Sequence, residues 1–520
     1  MLTSFIAVTL AVASAAGPVR PAPARPAQAA TPRPMWIFLS AKPHASDDDI
    51  ASHLSQRALE RREKRRTLPG LVDERDAPID EAQVALLQSL GATVRTRSRW
   101  LNAVSVVAPS SSMQAIVQLP CVRGVQPVRA GRAERPSETS TVAAYDADYG
   151  AAQPQIAQMD LLALHNRGFH GEGMIVGILD TGFHRAHEAF HSVEHPLNVI
   201  AEWDFINNDG NTDIEQSDPN GQHKHGTWIL GTLASYLPGE IIGAAYGASY
   251  VLAKTEVVDT ETPIEEDYYV AGLEFIEAHG ADVSTSSLAY FDWYVPSDFD
   301  GTTAVTTIAV NTATSNGLVC LTAQGNAGHD ADPATFTLGA PADAFDVISC
   351  GAVDETGAIA GFSSDGPTAD GRLKPELLAR GVNTASIHST NSSGISFVSG
   401  TSLSTPILAG AVTCVLQARP DFNVASLRGA LFATATDFVA NGTTDPLFVR
   451  GYGVVQADAA ASTGRASGDL NLDGVVDSTD LAILLGAWGP CINCSACPND
   501  LNGDCAIDAA DLSVLLGAWG

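Results

Sequence analysis

From position 149 onward, short apolar runs alternate with longer stretches of helical character. The runs at 174–179, 250–253, 282–284, 319–322 and 347–350 read as strands. Short β-runs interleaved with helices predict a mostly parallel sheet covered by helices on both faces, an α/β fold. This pattern holds over 149–464. Upstream, an apolar run at 35–39 opens a different unit. A basic helical stretch follows at 50–66, then a helix-like segment at 80–90 and strand-like runs at 103–107 and 122–128. That strand-helix-helix-strand outline predicts a small α+β unit over 35–130. Residues 17–34 are rich in Pro and Ala and read as a linker, and the polar stretch 131–148 reads as a second one.

The first residues have another pattern. An apolar run at 5–13 precedes Ala13-Ser14-Ala15, a small-x-small cleavage signature, so 1–16 reads as an export signal. The run is shorter than the roughly 20 residues that span a bilayer. The expectation is a secreted or cell-surface protein with no membrane span.

The end of the chain repeats itself. Residues 469–489, DLNLDGVVDSTDLAILLGAWG, return 31 positions later at 500–520 as DLNGDCAIDAADLSVLLGAWG. Asp469, Asn471, Asp473, Asp477 and Asp480 occupy positions 1, 3, 5, 9 and 12 of a calcium-type loop, and Asp500, Asn502, Asp504, Asp508 and Asp511 repeat the set. Hard calcium takes several oxygen ligands, and this spacing supplies them on one tight loop. The carbonyls of Val475 and Ala506 fall at position 7. Position 6 is Gly474 in the first copy and Cys505 in the second.

Charge sharpens the division. The 520 residues carry a net charge of −30, yet residues 1–135 hold 18 Lys+Arg against 11 Asp+Glu. The remainder holds 11 against 48, so the first part is +7 and the second −37. Nucleic acid is excluded as a partner of the acidic part, because phosphate contacts need clustered positive charge. The opposite signs predict that the two parts attract each other.

Of the eight cysteines, Cys121, Cys320, Cys350 and Cys414 are scattered and suit buried apolar positions. Cys491, Cys494, Cys497 and Cys505 cluster within 15 residues. That spacing also suits zinc, but export and the flanking calcium-type loops favour disulfides.

Three motifs carry candidate chemistry. Asp180-Thr181-Gly182 directly follows a predicted strand. His225-Gly226-Thr227 opens the apolar stretch 228–233. Gly400-Thr401-Ser402-Leu403-Ser404-Thr405-Pro406 opens another, at 407–416. A serine hydroxyl is a weak nucleophile and needs a histidine to take its proton. A carboxylate holds that histidine in one tautomer and stabilises its cation. Each motif alone also fits a turn or a helix cap; all three in order are far more specific.

On these motifs, residues 149–464 resemble the subtilisin-like serine peptidases (peptidase S8). The resemblance implies a three-layer α/β fold and a secreted serine endopeptidase acting through an acyl-enzyme. It implies Asp180 as orienter, His225 as general base and acid, and Ser402 as nucleophile, ahead of the neighbouring His223 and Ser404. It implies that Asn326, in Gln324-Gly325-Asn326, supplies an N–H to the oxyanion with the Ser402 amide as second donor. It also implies a substrate-lining strand at Ser287, Leu288 and Ala289, with Gly325 on the same site. The family often has Gly where Ala289 stands, and that methyl narrows the adjacent pocket. Ile407 stands where many relatives place His.

By position, 35–130 matches the family's inhibitory propeptide, which is cut off during maturation between 135 and 149. Catalysis needs no cofactor, and structural calcium is expected. The repeats over 468–520 resemble dockerin type I modules, which implies a cohesin-like or cell-surface partner, although the usual charged recognition residues are not evident. The competing reading is an inactive subtilase-fold binding or anchoring protein.

Overall fold

The computed structural model describes residues 33–129, 137–139, 148–258, 265–291, 294–492 and 494–520. The expected export signal, nearly all of the first linker, and most of the maturation region lie outside the described residues.

The N-terminal unit forms β1 (Met35–Leu39), α1 (Asp47–Ala51), α2 (Gln56–Arg65), α3 (Glu81–Ser89), β2 (Thr93–Ser98), β3 (Ala103–Val107), α4 (Ser110–Ile116) and β4 (Val122–Pro127). Its antiparallel sheet has the order β2-β3-β1-β4. The basic stretch expected as one helix is two. Ser46 caps α1 and Ser55 caps α2, each accepting a backbone N–H three residues on. The expected outline missed β2, a polar strand at the sheet edge with only Thr96 and Ser98 buried. It also missed α4.

After a short strand β5 (Ser137–Thr139) come α5 (Gln153–Gln158), α6 (Leu161–Asn166), β6 (Ile175–Asp180), β7 (Asn198–Asp204) and α7 (Lys224–Ala234). A small hairpin, β8 (Tyr236–Leu237) and β9 (Ile241–Ile242), leads to β10 (Ser249–Lys254), α8 (Glu265–Ala278), β11 (Val283–Ser286), α9 (Val305–Ser315), β12 (Val319–Ala323), β13 (Ile348–Val353) and β14 (Leu377–Arg380). A second hairpin, β15 (Thr384–Ile387) and β16 (Ile395–Ser399), is followed by α10 (Thr401–Ala418), α11 (Val424–Thr434), α12 (Thr436–Asn441) and α13 (Ala457–Ala461).

The central sheet has the order β14-β13-β12-β11-β6-β10-β7, and every pair in it is parallel. Every residue of β6, β11, β12 and β13 is buried, as strands covered on both faces must be. The order of connection reverses at β6, between β10 and β11, so the carboxyl ends of β6, β11 and β12 converge on one crevice. β7 and β14 were not legible as strands, because β7 is a half-exposed edge and β14 is only four residues long. Helix α10 runs through the core with 94% of its length buried. It is the one helix among the described residues long and apolar enough by composition to cross a membrane, and here it is a core helix.

The N-terminal unit docks on α8. Trp36, Trp100 and Leu101 join the core cluster that includes Tyr269, Leu273 and Ile276 of α8. Glu274 accepts the backbone N–H groups of Arg99 and Trp100, both at 3.1 Å, and the Ser98 hydroxyl at 2.6 Å. The basic helix α2 meets Glu277 and Asp282. Arg61 and Arg62 pair with Glu277, Arg62 also meets Asp76 at 2.7 Å, and Arg57 and Arg65 both reach Asp282. Arg61, Arg62 and Glu277 are fully buried side chains. The attraction expected from opposite net charges is therefore realised by a few desolvated pairs.

The tail forms α14 (Ser478–Gly486), β17 (Gly489–Pro490), β18 (Ala506–Ile507) and α15 (Ala509–Gly517), with a small core of Leu470, Val476, Leu484, Ile507 and Leu515. Two disulfides, Cys491–Cys497 and Cys494–Cys505, tie it together, while Cys320, Cys350 and Cys414 are buried thiols. Asn166 Nδ2 donates to Ala496 O at 2.9 Å, and Arg167 to Leu470 O at 3.0 Å, seating the tail on α6.

Replacing Glu277 with Ala leaves two buried guanidinium groups without their shared carboxylate, a loss of about 3–5 kcal/mol. Thermal unfolding of the unprocessed E277A chain is expected to show release of residues 33–129 well before wild type does.

Candidate active site

Asp180 is the last residue of β6 and is completely buried. Its Oδ1 accepts two hydrogen bonds, from Thr181 N at 2.7 Å and from His225 Nδ1 at 2.7 Å. His225 lies in the first turn of α7. That helix can press against the Asp180 turn because position 226 is Gly: a methyl there would sit 2.3 Å from Gly182 O. Thr181 Oγ1 accepts the Gly226 N–H at 3.2 Å, which fixes the helix start to the same turn. The neighbouring His223 instead lies beside His184, with ring centroids 5.4 Å apart.

Ser402 is the second residue of α10 and is buried. In this rotamer its Oγ lies 3.4 Å from Ser287 O, and His225 Nε2 has no hydrogen-bond partner. No hydrogen bond joins Ser402 Oγ and His225 Nε2 in this structure. Ser404 Oγ points back to Thr401 O at 3.0 Å.

Pro406 explains a further contact. It has no N–H, so the Ser402 carbonyl four residues earlier loses its helical partner. Ser287 Oγ donates to that carbonyl at 2.8 Å. The helix start and the end of β11 are therefore joined through the backbone of Ser402.

Asn326 follows β12. Its Oδ1 accepts Thr401 N at 2.7 Å and Thr401 Oγ1 at 2.9 Å. A backbone N–H is only a donor, so this contact assigns the oxygen of the amide, and Nδ2 is turned the other way. Thr401 N is spent on Asn326 and Leu403 N on Gly400 O, which leaves the Ser402 amide as a first-turn donor without a helical acceptor.

Ser287, Leu288 and Ala289 were expected in a strand. The structure ends β11 at Ser286, and the three residues run on outside the sheet ladder until Tyr290 pairs with Ala340. Their backbone forms an edge next to Ser402. Gly325, at φ +117°, borders the same crevice.

Two residues here were not singled out from sequence. Gln222 is buried and donates to Thr181 O at 2.8 Å and to Glu256 O, while Val258 N donates to its Oε1 at 3.0 Å. It ties the Asp180 turn to the segment after β10. Thr401 fixes the Asn326 amide. Gln222 carries no local signal, and Thr401 stands in the motif around Ser402 without its contact to Asn326 being visible there, since each acts through partners distant in sequence.

Among the described residues, one grouping of metal-type ligand atoms is found: Asp204, Asp209 and Glu215. Its neighbourhood already holds a cation. Lys254 Nζ, fully buried, sits 2.7 Å from Asp204 Oδ2 and 2.6 Å from Asp218 Oδ2. In the tail, Asp469 accepts Asp473 N and Gly474 N, and Asp500 repeats this with Asp504 N and Cys505 N. Asp480 and Asp511 accept the amides of Leu470 and Leu501, and of Asp477 and Asp508. Position 6 is left-handed in both copies, Gly474 at φ +100° and Cys505 at φ +74°. The oxygen-rich donor set and the tight turn fit a hard cation such as calcium.

Ser287→Ala leaves the Ser402 carbonyl buried without a donor, a loss of about 1–3 kcal/mol. A lowered melting temperature, with recovery in Ser287→Thr, is the expected outcome by calorimetry.

The profile of the Subtilase family matches residues 171–454, and that of the Peptidase S8 propeptide domain, Bacteroidota, matches residues 34–141. Subtilisin E from Bacillus subtilis (strain 168) is 28% identical over 378 residues, covering 72% of this chain and 85% of that protein. Subtilisin from Bacillus pumilus is 31% identical over 307 residues, covering 59% of this chain and 97% of that protein. Among solved structures, fervidolysin from Fervidobacterium pennivorans superposes with a TM-score of 0.56 at 21% identity, covering 83% of this chain and 61% of that one, a likeness of fold. The parallel sheet, the N-terminal unit on α8 and these matches together make the chain a member of the subtilase family, a serine-type endopeptidase with a peptidase S8 propeptide domain.

Proposed function

We propose that peptide bonds are cleaved through Asp180, His225 and Ser402. The observation that carries this reading is the 2.7 Å contact of Asp180 Oδ1 with His225 Nδ1, which leaves Nε2 unbonded on the other side of the ring. Asp180 holds the Nδ1–H tautomer, so Nε2 is the basic nitrogen. The reaction requires the Ser402 hydroxyl to turn from Ser287 O to that nitrogen. Oγ attacks the carbonyl carbon as His225 takes the proton. The oxyanion meets the Ser402 amide and Asn326 Nδ2, both pre-set before reaction. His225 then gives its proton to the leaving amine, the acyl group stays on Ser402, and water releases it by the reverse sequence.

Ser287, Leu288 and Ala289 offer their edge to an extended peptide by backbone hydrogen bonds. The N-terminal unit acts as an inhibitor of its own enzyme, held on α8 until it is cut away after export. The tail takes calcium in its two loops through Asp469, Asn471, Asp473, Asp477 and Asp480, and through Asp500, Asn502, Asp504, Asp508 and Asp511. Anchoring to a cohesin-like or cell-surface partner rests on the repeat pattern alone.

Ser402→Ala is expected to abolish casein hydrolysis, by about a million-fold in turnover, and to remove labelling by a fluorophosphonate probe. Asn326→Ala is expected to lower kcat by roughly 100–1000-fold while keeping the label. Wild-type enzyme that resists the probe at neutral pH would instead favour the inactive binding reading. Stripping calcium with a chelator is expected to lower the unfolding temperature of the tail, and readdition at about 100 times the dissociation constant restores roughly 2.7 kcal/mol. Asp480→Ala together with Asp511→Ala removes that calcium dependence.

A further inference from the structure

The cavity beside the nucleophile is bounded by Ser287, Ala289, Ala323, Gly325 and Asn326. If Ser402 and Asn326 act as proposed, the side chain on the acyl side of the cleaved bond must enter there. The remaining space is about 10 Å³. That is room for about one water.

The aromatic ring of Phe291 stands beside Gly325, one wall of that cavity. A methyl built on Gly325 would come within 3.1 Å of Phe291 Cζ, and one built on Gly339 within 2.8 Å of Cε1 and 2.9 Å of Cζ. The ring tip is therefore packed against two glycine backbones at once. The Ala289 methyl closes another side, 3.1 Å from the same built atom on Gly339. Two backbone hydrogen bonds hold the residue just before the ring: Tyr290 N donates to Ala340 O at 2.9 Å, and Ala340 N to Tyr290 O at 3.1 Å. The backbone just before the ring is thus anchored to Ala340.

We propose that Phe291, with Ala289, closes the pocket for the acyl-side residue, so that this enzyme cleaves after small residues such as alanine, glycine and serine. The inference rests on the peptidase reading above. A pocket that lacks volume rejects a larger side chain by steric overlap, and even single methylenes change specificity by about 10–200-fold.

The test uses the full chain after self-processing and the p-nitroanilides Ala-Ala-Pro-Xaa with Xaa as Ala, Leu or Phe. Wild type is expected to favour Ala over Phe by at least about tenfold in kcat/KM. Phe291→Ala is expected to reverse that ranking, and Phe291→Leu to shift it part of the way. Wild-type enzyme that cleaves the Phe substrate as well as the Ala one overturns the proposal, whether or not either variant folds. A folded Phe291→Ala that keeps the wild-type ranking overturns the role of Phe291. Hydrolysis of none of the three, with Ser402 unreactive to fluorophosphonate, overturns the peptidase reading and this one with it.

Discussion

The burial of one helix governs the rest. α10 is apolar for most of its length, and 94% of it lies inside protein. A helix of that kind must pass through the core, and its first turn must then emerge where the strands end. This sets the first turn of α10 against the end of β12, where Thr401 N donates to Asn326 Oδ1 at 2.7 Å. Pro406 adds the local consequence. By removing one helical bond, it frees the Ser402 carbonyl to take the Ser287 hydroxyl at 2.8 Å. Ser402 is therefore fixed to Ser287 through its backbone.

The same economy of contacts marks the docking of the N-terminal unit. Net charges of opposite sign draw two bodies together but do not select an orientation. Orientation comes from the desolvated pairs of Arg61 and Arg62 with Glu277 and from the amides that Glu274 accepts. Buried ion pairs contribute little net stability over an apolar contact. Their cost when mismatched is large, so they reject other registers. Trp36 and Trp100 supply the apolar burial that makes the contact favourable overall.

The tail obeys a different rule. Its core is five buried aliphatic residues, too few to hold some fifty residues unaided. Two disulfides and two oxygen-rich loops make up the difference. In the second loop a cysteine takes the left-handed position that glycine takes in the first, and Cys494 holds it there through a disulfide.

The amino-acid order alone determined the α/β class, the charge division, the repeated tail, and Asp180, His225, Ser402 and Asn326 as residues to watch. Each of these is written in contiguous residues, where a motif or a period is directly visible. The chain order did not reveal β7 or β14, the split of the basic helix, or the end of β11 at Ser286. An edge strand lacks an apolar signature, and a cap acts over three residues. Only the folded structure decided which way the Asn326 amide faces, that Gln222 bridges the Asp180 turn to the segment after β10, and that the Phe291 ring lies against Gly325 and Gly339. Those choices depend on partners distant in sequence, as with Ser287 and Ser402, 115 residues apart. Hydrogen-bond direction and cavity volume are properties of such pairs, and no stretch of sequence carries them by itself.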